Sequence, residues 1–279
     1  MLRSFIRNLA CLSSASAEAY ILVDDAAPTE GPIAWLPPEL LHLIICCVDA
    51  TMLATCSLVC SSWMTHARSR MFSHISISMS NADRFGRLFA QRTRVTFRHH
   101  VREIDLDDQI VRDFWTSEVL PKFIIQFPRL TTFSLCGSVP VKWLHPAFQV
   151  VVHLELANVW GSDFIQLATF ISKFPLLQTL KLTEEKETFV NFAALSAISQ
   201  PSRFLHKLDL DNPAIFHWII SGTPKPRIDT LCLEISCPDV SSAVQSIRSL
   251  STSLNVLDLN LTDVDTGGTG ALSLHTVNI

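Results

Sequence analysis

A six-residue pattern that recurs along most of the chain constrains the fold more than any other feature. The pattern is apolar-x-x-apolar-x-apolar, and it occurs as VREIDL at 101, LTTFSL at 130, VVHLEL at 151, LQTLKL at 177, LHKLDL at 205, IDTLCL at 228 and LNVLDL at 254. Successive copies start 29, 21, 26, 28, 23 and 26 residues apart, a period typical of stacked repeats. Each copy reads as a short strand with one apolar face, which it can bury only by stacking on further copies.

The segments between the copies predict helices that pack behind these strands. They are SEVLPKFIIQFP at 117–128, DFIQLATFISKFP at 163–175 and SAVQSIRSLS at 242–251. The Phe-Pro pairs at 127 and 174 close two of them, because the residue before a proline is disfavoured in a helix. The sequence therefore predicts an α/β fold with parallel strands and outer helices.

Composition narrows the class of protein. The 279 residues are 48% hydrophobic with a formal net charge of -4, which allows a sizeable core and gives no general attraction to nucleic acid or anionic membranes. No apolar run reaches the length of about 18 residues that a bilayer span needs. The eight cysteines lie mostly inside apolar stretches, as expected of buried thiols in a reducing compartment.

A dense apolar block, LPPELLHLIICCVDATMLATCSLVCSSW, occupies 36–63. Pro37 and Pro38 start a helix, and Glu39 suits its positive end. A second helix is predicted from Leu53 to Trp63, where apolar residues recur at spacings of three and four. A helical hairpin of roughly 45 residues is below the size at which one core usually suffices, so we expect it to fold against another partner.

This block and the trailing ARSRMFSHISIS resemble the F-box, in the version common in large fungal families. The resemblance implies that the hairpin binds a Skp-type adaptor and, through it, a cullin of a ubiquitin ligase. Cys56 and Cys60 also match apolar positions of the family. The residues implied in adaptor binding are Leu36, Pro37, Leu40, Leu41, Ile44, Leu53, Val59 and Trp63. The alternative is a buried helical hairpin that caps the N-terminal end of the repeats.

The repeats resemble the leucine-rich-repeat half of F-box proteins, although the asparagine that this family carries three positions after the last strand leucine is missing. The resemblance implies an N-terminal F-box helical hairpin followed by a curved leucine-rich-repeat solenoid with parallel strands and outer helices. The predicted divisions are a disordered or targeting-like tail at 1–31, the F-box at 32–79, a linker helix at 80–100 and seven to eight irregular repeats at 101–279. ALSLHTVNI at the end predicts an eighth strand.

Strand alternation places the residues between the leucines on the open, concave face of the predicted solenoid. The residues expected to bind a target are Asp105, Asp107, Glu155, Lys181, Asp209, Asp211, Glu234 and Asp258, with Glu103 and Lys207 on the same face. Acids outnumber lysines there, which favours a target protein with a basic patch. The competing interpretation is an ordinary solvated strand face.

The remaining motifs give weaker indications of function. The arginine-rich segment at 84–102 is interpreted as the solvated side of a helix rather than a nucleic-acid site. The single Asp-Thr-Gly at 265–267 lacks the second carboxylate that an aspartic protease needs, and Cys56, Cys60 and His66 lack the spacing of a zinc site. No catalytic residue, metal or cofactor is predicted.

The sequence thus predicts a non-enzymatic substrate adaptor of an SCF-type cullin-RING ubiquitin ligase, cytoplasmic or nuclear. Arg3 and Arg7 in an acid-free N-terminal stretch leave a mitochondrial presequence as the alternative for location. The alternative function is a leucine-rich-repeat interaction scaffold.

Overall fold

The structure, a computed structural model, describes residues 36–78, 80–90, 97–107, 127–137, 149–158, 164–183, 200–222, 225–236, 240–250, 252–262 and 272–278. Its contacts divide the chain into two compact units, with the boundary between His74 and Ile75. Within the described ranges, no helix combines the length and apolar character needed to cross a membrane.

In the part of the first unit that the structure describes, from residue 36 onward, there are three helices, α1 (Pro38–Cys47), α2 (Leu53–Cys56) and α3 (Ser61–Met71). The start of α1 agrees with the prediction, with Pro37 as the residue before the helix and Glu39 in its first turn. The single second helix predicted from Leu53 to Trp63 is wrong. The helix ends after one turn, and Cys60, with φ -163° and ψ 174°, is extended and precedes α3.

A small apolar core holds these three helices together. Its buried members are Leu41, Ile45, Leu53, Cys56, Ala67 and Met71, with Val48, Ala54, Trp63 and Phe72 packed against them. Arg70 of α3 donates from Nη1 to the carbonyl oxygens of Ile45 and Val48 at the end of α1. The N–H of Val48 also donates to the carbonyl of Ile45, at 3.2 Å, so the guanidinium adds a second donor there and supplies one to the carbonyl of Val48 at the end of the helix.

Among the described residues, nine strands form one sheet whose order in space is the order along the chain. They are β1 (His74–Ile77), β2 (Glu103–Leu106), β3 (Thr132–Cys136), β4 (His153–Ala157), β5 (Thr179–Thr183), β6 (Lys207–Leu210), β7 (Thr230–Ser236), β8 (Val256–Thr262) and β9 (Leu272–Asn278). Neighbours from β2 to β8 pair in parallel. The parallel sheet predicted from the recurring hexapeptides is therefore confirmed.

Equivalent positions of the hexapeptides lie side by side across the sheet. One apolar column runs Ile104, Phe133, Leu154, Leu180, Leu208, Leu231 and Leu257, and a second runs Leu106, Leu135, Leu156, Leu182, Leu210, Leu233 and Leu259. From β2 to β7 these side chains are buried, and in β8 they are half-buried. One face of each strand from β2 to β8 thus contributes to a continuous apolar core, as the period-two alternation requires.

The backbone repeats as regularly as the side chains. The carbonyl of Arg102 accepts hydrogen bonds from the N–H groups of Thr131 and Thr132, at 2.8 and 2.9 Å. Each of five further carbonyls likewise accepts hydrogen bonds from two consecutive N–H groups, namely those of Thr131, Val152, Gln178, His206 and Asp229. Each strand therefore begins in one fixed register with the strand before it.

The described stretches of the second unit include four further helices, namely α4 (Ala82–Ala90), α5 (Phe164–Ile171), α6 (Pro213–Ser221) and α7 (Val240–Arg248). The predictions at 163–175 and 242–251 are confirmed by α5 and α7. Helix α4 covers only part of the linker helix predicted at 80–100, and most of the helix predicted at 117–128 lies outside the described residues. The sequence reading missed α6, whose Trp218 is fully buried and meets Phe164 edge-on at 6.4 Å between ring centroids.

The last strand departs from the repeat. Strand β9 lies antiparallel to β8, whereas the sequence reading treated ALSLHTVNI as one more repeat strand. An antiparallel neighbour needs no crossover helix, so a short connection from β8 suffices to place it.

Candidate functional site

Helix α1 has apolar residues on two faces. Leu41 and Ile45 are 3% and 0% exposed and lie in the core of the first unit. Leu40, Leu43 and Ile44 lie on the other face and are 48%, 59% and 39% exposed. Residues three and four apart share one side of a helix, so these exposed side chains form a stripe. This helix keeps an apolar face in solvent after its own core is complete.

Exposed apolar residues continue in the short segments on either side of α2. Met52, Leu58 and Val59 are 51%, 64% and 50% exposed, and Leu36 ahead of α1 is 36% exposed. We call Leu36, Leu40, Leu43, Ile44, Met52, Leu58 and Val59 the docking surface. Isolated exposed apolar residues are common, but a group of this number within one small unit is typical of a surface that meets another protein.

The structure separates the predicted adaptor-binding residues into two groups. Leu36, Pro37, Leu40, Ile44 and Val59 are exposed, as a binding role needs. Leu41 and Leu53 are each 3% exposed and Trp63 is half-buried against the same core, so these three hold the helices together instead.

Sequence reasoning missed Leu43, Met52 and Leu58, which are among the most exposed apolar side chains of the unit. Apolar spacing alone does not distinguish the two faces of a helix that is apolar on both. The face of α1 that is buried is set by its packing with Ala67 and Met71 of α3, which spacing does not reveal.

A second surface follows the middle position of the strands. Asp105, Ser134, Glu155, Lys181, Asp209, Cys232 and Asp258 lie in register on β2 to β8, and we call them the polar column. Lys181 is exposed and the others are half-buried. Four of the seven carry a carboxylate, and one carries an ammonium group.

Two side chains show the electrostatic effect of the acids in the polar column. Lys181 Nζ donates to Glu155 Oε1 at 2.6 Å, and this bond, with the nearby charges of Glu155 and Asp209, raises the pKa of Lys181. Burial raises the pKa of Cys232, and the flanking Asp209 and Asp258 raise it further. The negative potential of these acids favours the ammonium cation of Lys181 and adds to the effect of burial in disfavouring the Cys232 thiolate.

The remaining predicted target-binding residues flank the polar column. Glu103 opens β2, Glu234 pairs in register with Asn260, and the N–H of Asp211 donates to the carbonyl of Leu182 at 3.3 Å. Asp107 follows β2 and donates from its N–H to the carbonyl of Ile77 at 3.0 Å. The acids predicted from alternation therefore lie along β2, β4, β6, β7 and β8, but their binding role stays a prediction.

The sequence of the first unit matches a known family of domains. Residues 33–78 match the family model described as F-box-like, which covers about a sixth of the chain and includes all three helices of the first unit. The chain thus carries an F-box-like domain, the module that binds Skp-type adaptors in SCF ubiquitin ligases. Proteins with this domain are typically adaptors rather than enzymes. Comparison with curated proteins finds no match.

Proposed function

We propose that this protein is a substrate-recognition adaptor of an SCF-type cullin-RING ubiquitin ligase, acting in the cytoplasm or nucleus. The F-box-like domain binds a Skp-type adaptor and, through it, a cullin. The second unit is a leucine-rich-repeat array that presents a target protein. Ubiquitin transfer then belongs to other subunits of the complex.

The observation that carries this proposal is the docking surface. A fully buried Leu, Ile, Val or Met side chain stabilises by roughly 1.5 to 3 kcal/mol, so a half-exposed one still offers about 1 kcal/mol to a partner. Seven such residues in a unit that matches the F-box-like model offer apolar surface that an adaptor can bury. A hairpin that merely capped the repeats would have no use for this exposure.

Co-expression with a Skp-type adaptor tests this part of the proposal. Leu40→Asp places a carboxylate in the exposed stripe of α1, where Leu40 is 48% exposed, so the variant should fold and lose adaptor binding. Leu176→Asp is the matched control, because Leu176 lies in the second unit and is 43% exposed. Equal adaptor binding by the parent and both variants, or binding by none of them, would favour the scaffold alternative.

The leucine-rich-repeat assignment of the second unit rests on its in-register apolar columns and the repeated hydrogen bonds at each strand start. A repeat array of this kind exposes the residues between its leucines in one continuous surface. In this chain that surface includes the polar column, where Glu155, Asp209 and Asp258 are half-buried yet solvent-accessible.

We therefore propose a target with a basic patch that binds the polar column. Asp209→Asn combined with Asp258→Asn should weaken target binding and reduce its dependence on salt concentration. The control is Asp49→Asn, which removes an exposed carboxylate from the first unit instead. Target binding that does not respond to salt would remove the electrostatic part of this proposal.

A further inference from the structure

A groove of about 500 Å³ lies at the edge of the sheet where β6, β7 and β8 begin. Its walls come from the turns before these three strands, which the repeated backbone hydrogen bonds hold in register. Its lining includes six residues with charged, polar or aromatic side chains: Arg203, Phe204, His206, Arg227, Asp229 and Thr252. The groove is separate from the docking surface and from the polar column.

Basic groups dominate the lining. Arg203 and Arg227 are exposed, and neither guanidinium has a carboxylate within ion-pair distance among the described residues. Asp229 is the one acid among the lining residues. His206 Nδ1 lies 3.1 Å from the carbonyl oxygen of Phe204, so a hydrogen bond between them uses this nitrogen as a donor within the lining itself. Two guanidinium groups and one carboxylate are therefore the charged groups of the lining.

An aromatic wall accompanies these donors. Phe204 is 46% exposed, and the guanidinium carbon of Arg203 lies 4.9 Å from its ring centroid. This cation–π contact orders both side chains at the mouth of the groove. An exposed ring beside two guanidinium groups that have no carboxylate partner among the described residues suits a ligand with an anionic head and an apolar or aromatic body.

We propose that this groove binds a phosphate monoester whose phosphate is carried on an aromatic group. Arginine forks bind the oxygens of a phosphate dianion with strong, charge-assisted hydrogen bonds, and the hydroxyl of Thr252 supplies a further donor. The face of Phe204 opposite the Arg203 guanidinium receives the aromatic body. This inference does not depend on the F-box-like domain, so it survives if adaptor binding fails.

Calorimetric titration of the full chain at constant ionic strength tests the proposal. The probes are phenyl phosphate, inorganic phosphate, benzoate and a short phosphotyrosine peptide. Phenyl phosphate should bind more tightly than inorganic phosphate because of Phe204, and more tightly than benzoate because of the second charge. If the phosphotyrosine peptide binds more tightly than phenyl phosphate, the natural ligand is a phosphorylated protein segment. If the two bind with equal affinity, the natural ligand is a small molecule.

Variants locate the binding. Arg203→Gln and Arg227→Gln should each lower affinity for phenyl phosphate by about tenfold, since each removes charge-assisted hydrogen bonds. Lys225→Gln removes an equal charge two residues from Arg227, outside the lining, and should change affinity less than about twofold. Phe204→Ala should remove the preference for phenyl phosphate over inorganic phosphate. Absent binding, equal loss in the Lys225 variant, or benzoate binding as tightly as phenyl phosphate would overturn the proposal.

Discussion

Replacing Leu177 by alanine should destabilise the second unit far more than the same change at its neighbour Leu176. The two leucines follow Phe174 and Pro175 in the turn before β5. Leu177 is 0% exposed and opens the LQTLKL hexapeptide, whereas Leu176 is 43% exposed. The same Leu→Ala substitution at two adjacent residues therefore tests which of the two leucines packs in the core.

The magnitudes follow from burial. Leu→Ala at a fully buried site costs about 2.7 to 5 kcal/mol, because a cavity is added to the lost transfer free energy. At Leu176 the same change removes carbons that are little more than half buried, with no closed cavity, so the cost is about 1 kcal/mol. We expect a difference of at least about 2 kcal/mol between the two variants.

Urea unfolding of the full chain, followed by far-ultraviolet circular dichroism, measures this difference. The first unit is identical in both variants, and an unchanged slope would show that the shift in midpoint reports stability. An equal or larger cost at Leu176 would refute the reasoning. It would mean that the strand register is displaced by one residue, which exchanges the buried and exposed faces.

Further predictions concern single side chains. Arg70→Met should destabilise the first unit by about 1 to 3 kcal/mol in thermal unfolding, because the carbonyls of Ile45 and Val48 each lose the charged donor that Arg70 supplies; an unchanged transition would contradict the capping role. The pKa of Lys181 is higher in the folded chain than in the unfolded chain, so its ammonium group stabilises the fold fully at pH values below its pKa in the unfolded chain. This stabilisation is lost as the pH rises through its pKa in the folded chain. Stability should therefore fall at strongly alkaline pH by less than about 1 kcal/mol, and Lys181→Met should remove this fall. Iodoacetamide should modify Cys60, whose pKa is lowered chiefly by the hydrogen bond from the Ser62 hydroxyl, well before Cys232, whose pKa is raised by burial and neighbouring acids. Mass spectrometry gives the order, and faster modification of Cys232 would contradict it. Ser134→Asp should cost up to about 1 kcal/mol, recovered at high salt, whereas Ser134→Asn should cost little.

The repeat was predictable because its information is local and recurs. Each hexapeptide carries its own alternation, and the copies at Val101, Leu130 and Val151 all place that first apolar residue at 0% exposure. The alternation also predicts which acids share the face of Asp105. A period of two needs no knowledge of distant residues, so these parts of the fold followed from the sequence.

The parts that were missed depend on contacts that alternation and helical spacing do not encode. The break between α2 and α3 falls in an apolar stretch whose spacing still fits a helix, and Cys60 there is extended. Helix α6 is apolar on nearly every side, so its sequence has no amphipathic signature until Trp218 is placed against Phe164. The antiparallel pairing of β9 with β8 is likewise not encoded in the alternation of its own residues, which is the same for either strand direction.

The order of residues in the polar column explains how an acidic strand face remains compatible with a stable parallel sheet. An in-register stack places equivalent residues on strands about 4.8 Å apart, where like charges directly opposite destabilise. Along the polar column Ser134, Lys181 and Cys232 separate the four acids, so no two carboxylates of the column occupy neighbouring strands. The acids are then about 9.6 Å apart, close to the screening length at physiological salt. Their mutual repulsion is therefore small, while a partner that brings basic side chains to this face would meet the attraction of all four acids.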